Sequence, residues 1–451
     1  MSFVDKYTCG AVLFLWIALI VEFVVFPGFT AGNLICVCVL AGLAVASPLF
    51  TPFASRAATL TMTIVTLLLA TGVILNTWYY TTVLGGTPES PVLINEDSNR
   101  WWNGAVNLLS SDRGYQIEDS YGFYNKVLAM ILEVFGDNVG TALLWSMTLI
   151  VISVLLTGIL SWRIIADRRV AVLSMICVSA VCYWLSMGTL ILKDALVICA
   201  VLVGAISFTT RSKLSFFSLV LLSVVMLSCS RLSCLVILAF GALIVGADKK
   251  NIVYRLIAVA LFVLAYLYAI HLSAKTAFAM PDAVSSGTSY TAPQQMAFYN
   301  VFGNYMILPL YVKLLVLPVT AGVQFLIPFS WTWARDIPFG LTQAWAHIGY
   351  PWYIFGFIFI YFLVGQIRSY RTILFRLSVF AFIGWLIPCI VTGGTVSRYG
   401  LPFVAIMAPA VAYTIFKNYR VRQFYVYLGV CAAILTVVLI IAHHLQLSAM
   451  S

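Results

Sequence analysis

The sequence predicts an all-α polytopic membrane protein of about 12 to 14 transmembrane helices with a long first outer loop, and three observations predict it. Of 451 residues, 63% are hydrophobic and 9% charged, with a mean hydropathy of +1.03; soluble domains carry about 25% charged residues. Apolar runs of about 17 to 25 residues recur along the whole chain, each enough to cross about 30 Å of hydrocarbon as a helix. Finally, 16 of 25 Lys and Arg fall in one alternating set of short linkers, while 8 of 15 acids lie between Tyr80 and Asn138. Nothing resembles a separate soluble domain, so residues 1–451 read as a single integral membrane domain.

Taken in order, the apolar run from about Cys9 to Phe29 follows a weakly charged start, Asp5 and Lys6, and lacks a small-residue cleavage site. It reads as a retained first helix. Helices near 9–28, 33–52 and 57–79 then deliver residues 80–138 to the outside. Helices near 139–162, 170–189, 191–208, 214–229, 232–247 and 252–272 follow, and their basic linkers, such as Arg163, Arg168, Arg169, Lys213 and Arg255, all fall inside. That alternation closes without contradiction under the positive-inside rule. A second outer loop, 273–304, is rich in Ser, Thr, Ala and Pro; Pro309, Pro318, Pro328, Pro338 and Pro351 come after it. Proline at that density breaks helices, which predicts re-entrant or interfacial pieces. Helices near 345–367, 372–391, 400–416 and 423–443 complete the chain.

The net charge of +10 is explained by helix-end cations that set topology, so no nucleic-acid partner is implied. The 10 Cys are scattered, nearly all in apolar segments, and read as small core residues. His271, His347, His443 and His444 show no metal spacing. No Gly-rich phosphate loop, zinc motif or Ser-nucleophile pattern appears. These absences argue against a nucleotide-driven enzyme, and the lack of a cytoplasmic domain disfavours a soluble sugar-nucleotide donor.

The stretch from Ile94 to Asn138 is far longer than the 2 to 8 residues of an ordinary helix connection. It opens with a polar patch and continues as an amphipathic, helix-like segment from Tyr121 to Phe135. Two acids, Glu96 and Asp97, open it, followed by Arg100, Trp101 and Trp102, then Ala105, Leu108 and Leu109. If helical, Arg100 and Asp97 share a face. Trp101 and Trp102 fit sugar stacking, though interfacial Trp is more commonly a membrane anchor.

Further on, Lys193 and Asp194 stand at the outer end of an apolar segment, Arg231 between two helices at the same level, and Arg398 with Tyr399 just before Leu401 and Pro402. A charge in or near hydrocarbon costs about 2.5 to 3.5 kcal/mol on insertion scales, so each needs a polar partner or ligand. The bland reading pairs Lys193 with Asp194 or the loop acids and lets the arginines snorkel. Arg335 and Asp336 suit interface anchoring, and Glu22 a neighbouring helix.

The acid–aromatic–Ala–Leu-Leu order of the first outer loop, the later GFYNKVLAMILEVFGDN segment and the Arg398-Tyr399-x-Leu401-Pro402 run resemble the GT-C superfamily of polyprenyl-phosphate-sugar-dependent membrane glycosyltransferases. One departure is that three helices precede the loop here, where many members have one. The resemblance implies a GT-C-like fold and a glycosyltransferase active site on the periplasmic face of a bacterial inner membrane. It implies a polyprenyl-(pyro)phosphate-linked sugar donor and a glycan or glycolipid acceptor, with membrane lipids around the chain. Asp97, with Glu96 as its possible substitute, takes the role of base; Arg398, Lys193, Arg231 and Arg100 that of phosphate-binding residues; Trp101, Trp102, Asp194 and Tyr399 that of substrate contacts. No cofactor is required by the pattern, and a divalent metal held by Glu96, Asp97, Glu118 and Asp119 is left open. The near alternative is an O-antigen-type repeat-unit polymerase, which uses related lipid-linked substrates. A transporter or flippase for lipid-linked sugars is the more distant one, disfavoured because the charged loop lies on one side only.

Overall fold

The computed structural model describes residues 42, 50–93, 96–110, 122–210, 212–245, 252–277, 308–326, 350–392 and 399–450. Among them all regular structure is helical. Helix α1 (Arg56–Trp78) runs into a π-helical turn, Tyr79–Val83; α2 (Glu96–Ser110) and α3 (Gly122–Phe135) form a hairpin; α4 is Val139–Ile165. Next come α5 (Arg168–Ser179), the short α6 (Cys182–Ser186) with a 3-10 turn at Met187–Thr189, and α7 (Asp194–Phe208). Then follow α8 (Lys213–Ser228), α9 (Ser233–Val245), α10 (Ile252–Ala277), α11 (Leu310–Leu315) and α12 (Leu317–Leu326). The last elements are α13 (Tyr350–Gly365), α14 (Ile373–Thr392), α15 (Leu401–Asn418) and α16 (Arg422–Met450).

Four described helical stretches are long and apolar enough to cross a membrane: Arg56–Val83, Val139–Ile165, Ile373–Ile390 and Leu401–Asn418. Six shorter apolar ones, among them α7, α8 and α9, accompany them. This is an all-α, membrane-embedded chain. Most of the predicted helices from 57 onward return within a few residues of their expected ends. Residues 1–41, Glu22 with them, and Arg335 and Asp336 lie outside the described residues, as does the second outer loop beyond the end of α10.

Local chemistry explains the helix boundaries. Ser55, Asn138 and Asp167 cap α1, α4 and α5 by accepting from the backbone N–H of Ala58 (3.2 Å), Thr141 (2.9 Å) and Arg169 (2.7 Å). Within α1, Thr61, Thr63 and Thr66 return their hydroxyls to carbonyls one turn back, at 2.7, 2.8 and 2.7 Å. That satisfies a hydroxyl where water is excluded. Every residue of α7 is buried, as a helix that is apolar all round must be. It packs against α4, α8 and α15, and α15 in turn packs on α5 and α14.

The main departure from expectation lies between α5 and α7. A pair of helices over 170–189 and 191–208 is predicted, but α5 stops after 12 residues, about 18 Å, and the chain continues as a short helix, a 3-10 turn and an irregular stretch before α7. Gly188 explains how this break fits inside the bundle. A Cβ there would lie 3.0 Å from Leu69 of α1 and 3.2 Å from Ile150 of α4, so a side chain would crowd both neighbours. Both neighbours are near the middle of their helices. Irregular backbone at that depth is tolerated only where protein satisfies it, and Asn76 of α1 does so, donating to the Thr189 carbonyl at 2.7 Å.

Candidate functional site

Short helices carry the charged cluster. At 1.5 Å per residue, α7 with 15 residues is about 22 Å long and α9 with 13 about 20 Å, against about 40 Å for α4 with 27. The α2–α3 hairpin joins the bundle through α3, which packs on α4. Gly104 lets the hairpin close, since the Asn125 side chain occupies the space a Cβ would take.

Four separate segments meet at the charged cluster. Asp194, at the first position of α7, accepts from Arg231, just before α9, in an ion pair of 2.7 Å, with side chains 3% and 11% exposed. The Arg231 guanidinium lies 4.2 Å from the centroid of the Tyr399 ring, at the entry to α15. The Lys193 ammonium lies 4.9 Å from the centroid of Trp101 on α2. Trp101 meets Tyr124 of α3 edge-to-face at 5.3 Å. Hence residues predicted from scattered sequence positions, Trp101, Lys193, Asp194, Arg231 and Tyr399, form one connected group.

Lys193, Arg231 and Asp194 gather at the N-terminal, positive end of α7, with Asp97 on the Trp101 face of α2. Arg231 is held by one nitrogen, Nη2, while its buried Nη1 has no hydrogen-bond partner among the described residues. Burial, reinforced by the Asp194 carboxylate, holds the Tyr124 hydroxyl pKa well above the ordinary phenol value, so it stays a neutral donor. That hydroxyl faces Ser146 of α4. A buried nitrogen without a partner costs free energy, so Nη1 of Arg231 suits a polar guest.

The other predicted residues divide. Asp97 sits on α2 one turn before Trp101, on the same face and partly buried. Arg100 is exposed. Trp101 and Trp102, 3% and 2% exposed, are packed inside protein, which corrects the anchor reading: the hairpin covers them before any lipid does. Arg231 does not snorkel, because Asp194 engages it. Arg398, the side chain of Glu96, and Glu118 with Asp119 lie outside the described residues. Among the described residues no group of three His, Cys, Asp or Glu is placed to hold a metal. Tyr124 and Ser146 escape sequence reading, since a Tyr in an amphipathic helix and a Ser in an apolar run carry no signal of their own.

The helices around α15 carry a second feature. A cavity of about 260 Å³ between α12, α13, α14 and α15 is lined by Phe325, Trp352, Phe355, Phe359, Phe382 and Trp385 among others. Its Trp385 packs against Gly400, the residue after Tyr399. The cavity wall is therefore tied to the start of α15 through Trp385 and Gly400, next to Tyr399. Gln324, donating to the Trp385 carbonyl at 2.8 Å, ties α12 to α14 where Pro388 interrupts the latter.

No protein-family model matches the chain, and no curated protein matches it.

Proposed function

We propose that this chain is an integral membrane glycosyltransferase of GT-C-like fold. It takes sugar from a polyprenyl-(pyro)phosphate donor on the periplasmic face of a bacterial inner membrane, in cell-envelope polysaccharide or glycolipid assembly. The observation that carries the reading is that the Lys193, Asp194 and Arg231 cluster touches Tyr399, while the next residue, Gly400, meets Trp385 in the wall of an aromatic cavity. A lipid phosphate needs cations at its head and a greasy surface for its tail, and this chain links one of each through Tyr399 and Gly400.

In this reading Lys193, Arg231 and Arg398 hold the leaving phosphate, with Nη1 of Arg231 available to an oxygen. Asp194 orients Arg231 and keeps its second nitrogen turned toward the ligand. Asp97 takes the proton of the acceptor hydroxyl as that oxygen bonds to the anomeric carbon. The bond from that carbon to the phosphate oxygen breaks, and its electron pair leaves with the phosphate, inverting the centre. Trp101 walls the sugar and fixes Lys193, with Trp102 buried beside it. Arg100, at the exposed side of α2, meets the acceptor or the second phosphate of a pyrophosphate.

A repeat-unit polymerase is the second reading, favoured by one observation: the paired, buried cation Arg231 is joined to the entry of α15 through Tyr399, which suits a pyrophosphate-linked glycan more than a single sugar. The test uses purified protein in nanodiscs with polyprenyl-phosphate and polyprenyl-pyrophosphate sugars, read by mass spectrometry beside Asp97→Asn and Arg231→Ala. Addition of one sugar, lost in both variants, is the expected result; a ladder of repeat units establishes the polymerase. No covalent product with any donor, together with substrate-dependent movement across liposomes, overturns both in favour of transport.

A further inference from the structure

At the opposite end of α15 from Tyr399, a cavity of about 520 Å³ opens between α13, α15 and α16. Its lining includes Tyr361 and Gln366 at the end of α13, Tyr413, Lys417 and Asn418 at the end of α15, and Tyr427 near the start of α16. Half of that surface is built and fixed. The Tyr427 hydroxyl donates to the Phe357 carbonyl at 3.0 Å, and its ring lies 5.1 Å from Tyr361. Asn418 donates to the Thr414 carbonyl at 2.9 Å. Lys417 is exposed, its ammonium 5.7 Å from the Tyr413 ring centroid.

The charge around the mouth is one-sided. Arg368 follows Gln366 by two residues, Arg420 follows Asn418 by two, and Arg422 opens α16. No Asp or Glu occurs after Asp336 anywhere in the sequence. These cations therefore have no carboxylate within the last four helices to pair with. The α4–α5 linker carries three more cations, Arg163, whose guanidinium meets Thr210, and Arg168 and Arg169, against one acid, Asp167, and this excess marks the cytoplasmic end by charge bias. Basic pockets between helices at that level receive anionic lipid headgroups.

We propose that this cavity binds the phosphodiester headgroup of one anionic phospholipid of the cytoplasmic leaflet. Lys417 meets the phosphate, Gln366 and Asn418 its neighbouring oxygens and hydroxyls, and Tyr361, Tyr413 and Tyr427 line the passage where the first acyl carbons lie. The proposal rests on the membrane orientation and not on glycosyl transfer, so either stands if the other fails.

The test is native mass spectrometry of delipidated protein titrated with phosphatidylglycerol or phosphatidylcholine, with inorganic phosphate as a competitor. One phosphatidylglycerol is expected to stay bound at least tenfold more tightly than phosphatidylcholine, and millimolar phosphate is expected not to displace it. Lys417→Ala should remove that preference and Lys417→Arg retain it. Gly365→Phe fills the cavity without touching charge: a Cβ there meets nothing within 4 Å, so the variant should fold and exclude the lipid. Equal retention of both lipids, displacement by phosphate, or a Gly365→Phe variant that folds and still binds phosphatidylglycerol would each overturn the proposal.

Discussion

Asp194 and Arg231 meet at 2.7 Å although they lie 37 positions apart in the sequence, one at the start of α7 and the other just before α9. A buried pair of this kind is costly to break by halves, because the remaining charge is left desolvated; removing one partner costs about 3 to 5 kcal/mol. Arg231→Met alone should lower thermal stability sharply. The double variant Asp194→Leu with Arg231→Met should recover most of that loss while remaining inactive in transfer. A double variant no more stable than the single one would show that the pair is not what holds α7 to α9.

Tyr399 offers its ring face to the same guanidinium at 4.2 Å. A desolvated cation–π contact is worth about 1 to 2 kcal/mol, which corresponds to roughly 5- to 30-fold in an equilibrium constant. Tyr399→Leu should therefore weaken binding of a polyprenyl phosphate by about that factor, whereas Tyr399→Phe, which keeps the π face, should stay within about twofold. Isothermal titration or fluorescence binding in nanodiscs checks both. Equal losses in the two variants would assign the effect to the hydroxyl instead.

What the sequence could and could not disclose follows from which forces are local. Helix ends near Ser55, Asn138 and Asp167 are legible because a cap acts within three residues. The functional interest of Lys193, Asp194 and Arg231 is also legible, because a charge beside hydrocarbon needs a reason wherever it occurs. That Asp194 pairs with Arg231, 37 positions away, is not, since it depends on how α7 and α9 pack together. Nor is the break at Met187–Thr189: it needs α1 and α4 beside it, with Asn76 supplying a hydrogen bond from 113 residues away.

The Asp137 carboxyl, in the turn between α3 and α4, has its pKa raised above the usual carboxylate value by partial burial and by Glu89. For an acid whose folded pKa lies above the unfolded one, the folded state holds the proton more firmly, so this group favours folding at low pH. That contribution is complete below the unfolded value and is lost as pH rises through the folded one. Asp137→Asn should accordingly raise thermal stability at neutral pH and flatten its dependence on pH just above the ordinary carboxylate range. Thermal scans of both proteins across mildly acidic buffers measure this, and parallel curves would refute it.

Ala166 closes α4 in a left-handed conformation, φ 55°, at a cost of about 1 to 2 kcal/mol for a residue with a Cβ. Glycine lacks that cost but loses more chain entropy on folding. Ala166→Gly should therefore stabilise by a few tenths to about 1 kcal/mol, visible as a higher unfolding midpoint with transfer unchanged. A lower midpoint would mean that the α4–α5 turn relaxes away from this backbone geometry.

Gly188 provides the strictest check on the buried break between α5 and α7. Its missing Cβ would sit 3.0 Å from a Leu69 methyl and 3.2 Å from Ile150, tighter than ordinary contact, so Gly188→Ala should destabilise by about 1 to 3 kcal/mol as overpacking does. Leu69→Ala alone opens a cavity and should cost about 2 to 5 kcal/mol. In the double variant the new methyl group enters the space the leucine vacates. The two losses should then fall short of their sum by at least about 0.5 kcal/mol, the signature of residues in contact. Thermal or denaturant unfolding of the four proteins in one detergent measures that coupling, and strict additivity would mean that the Met187–Thr189 turn does not pass between α1 and α4.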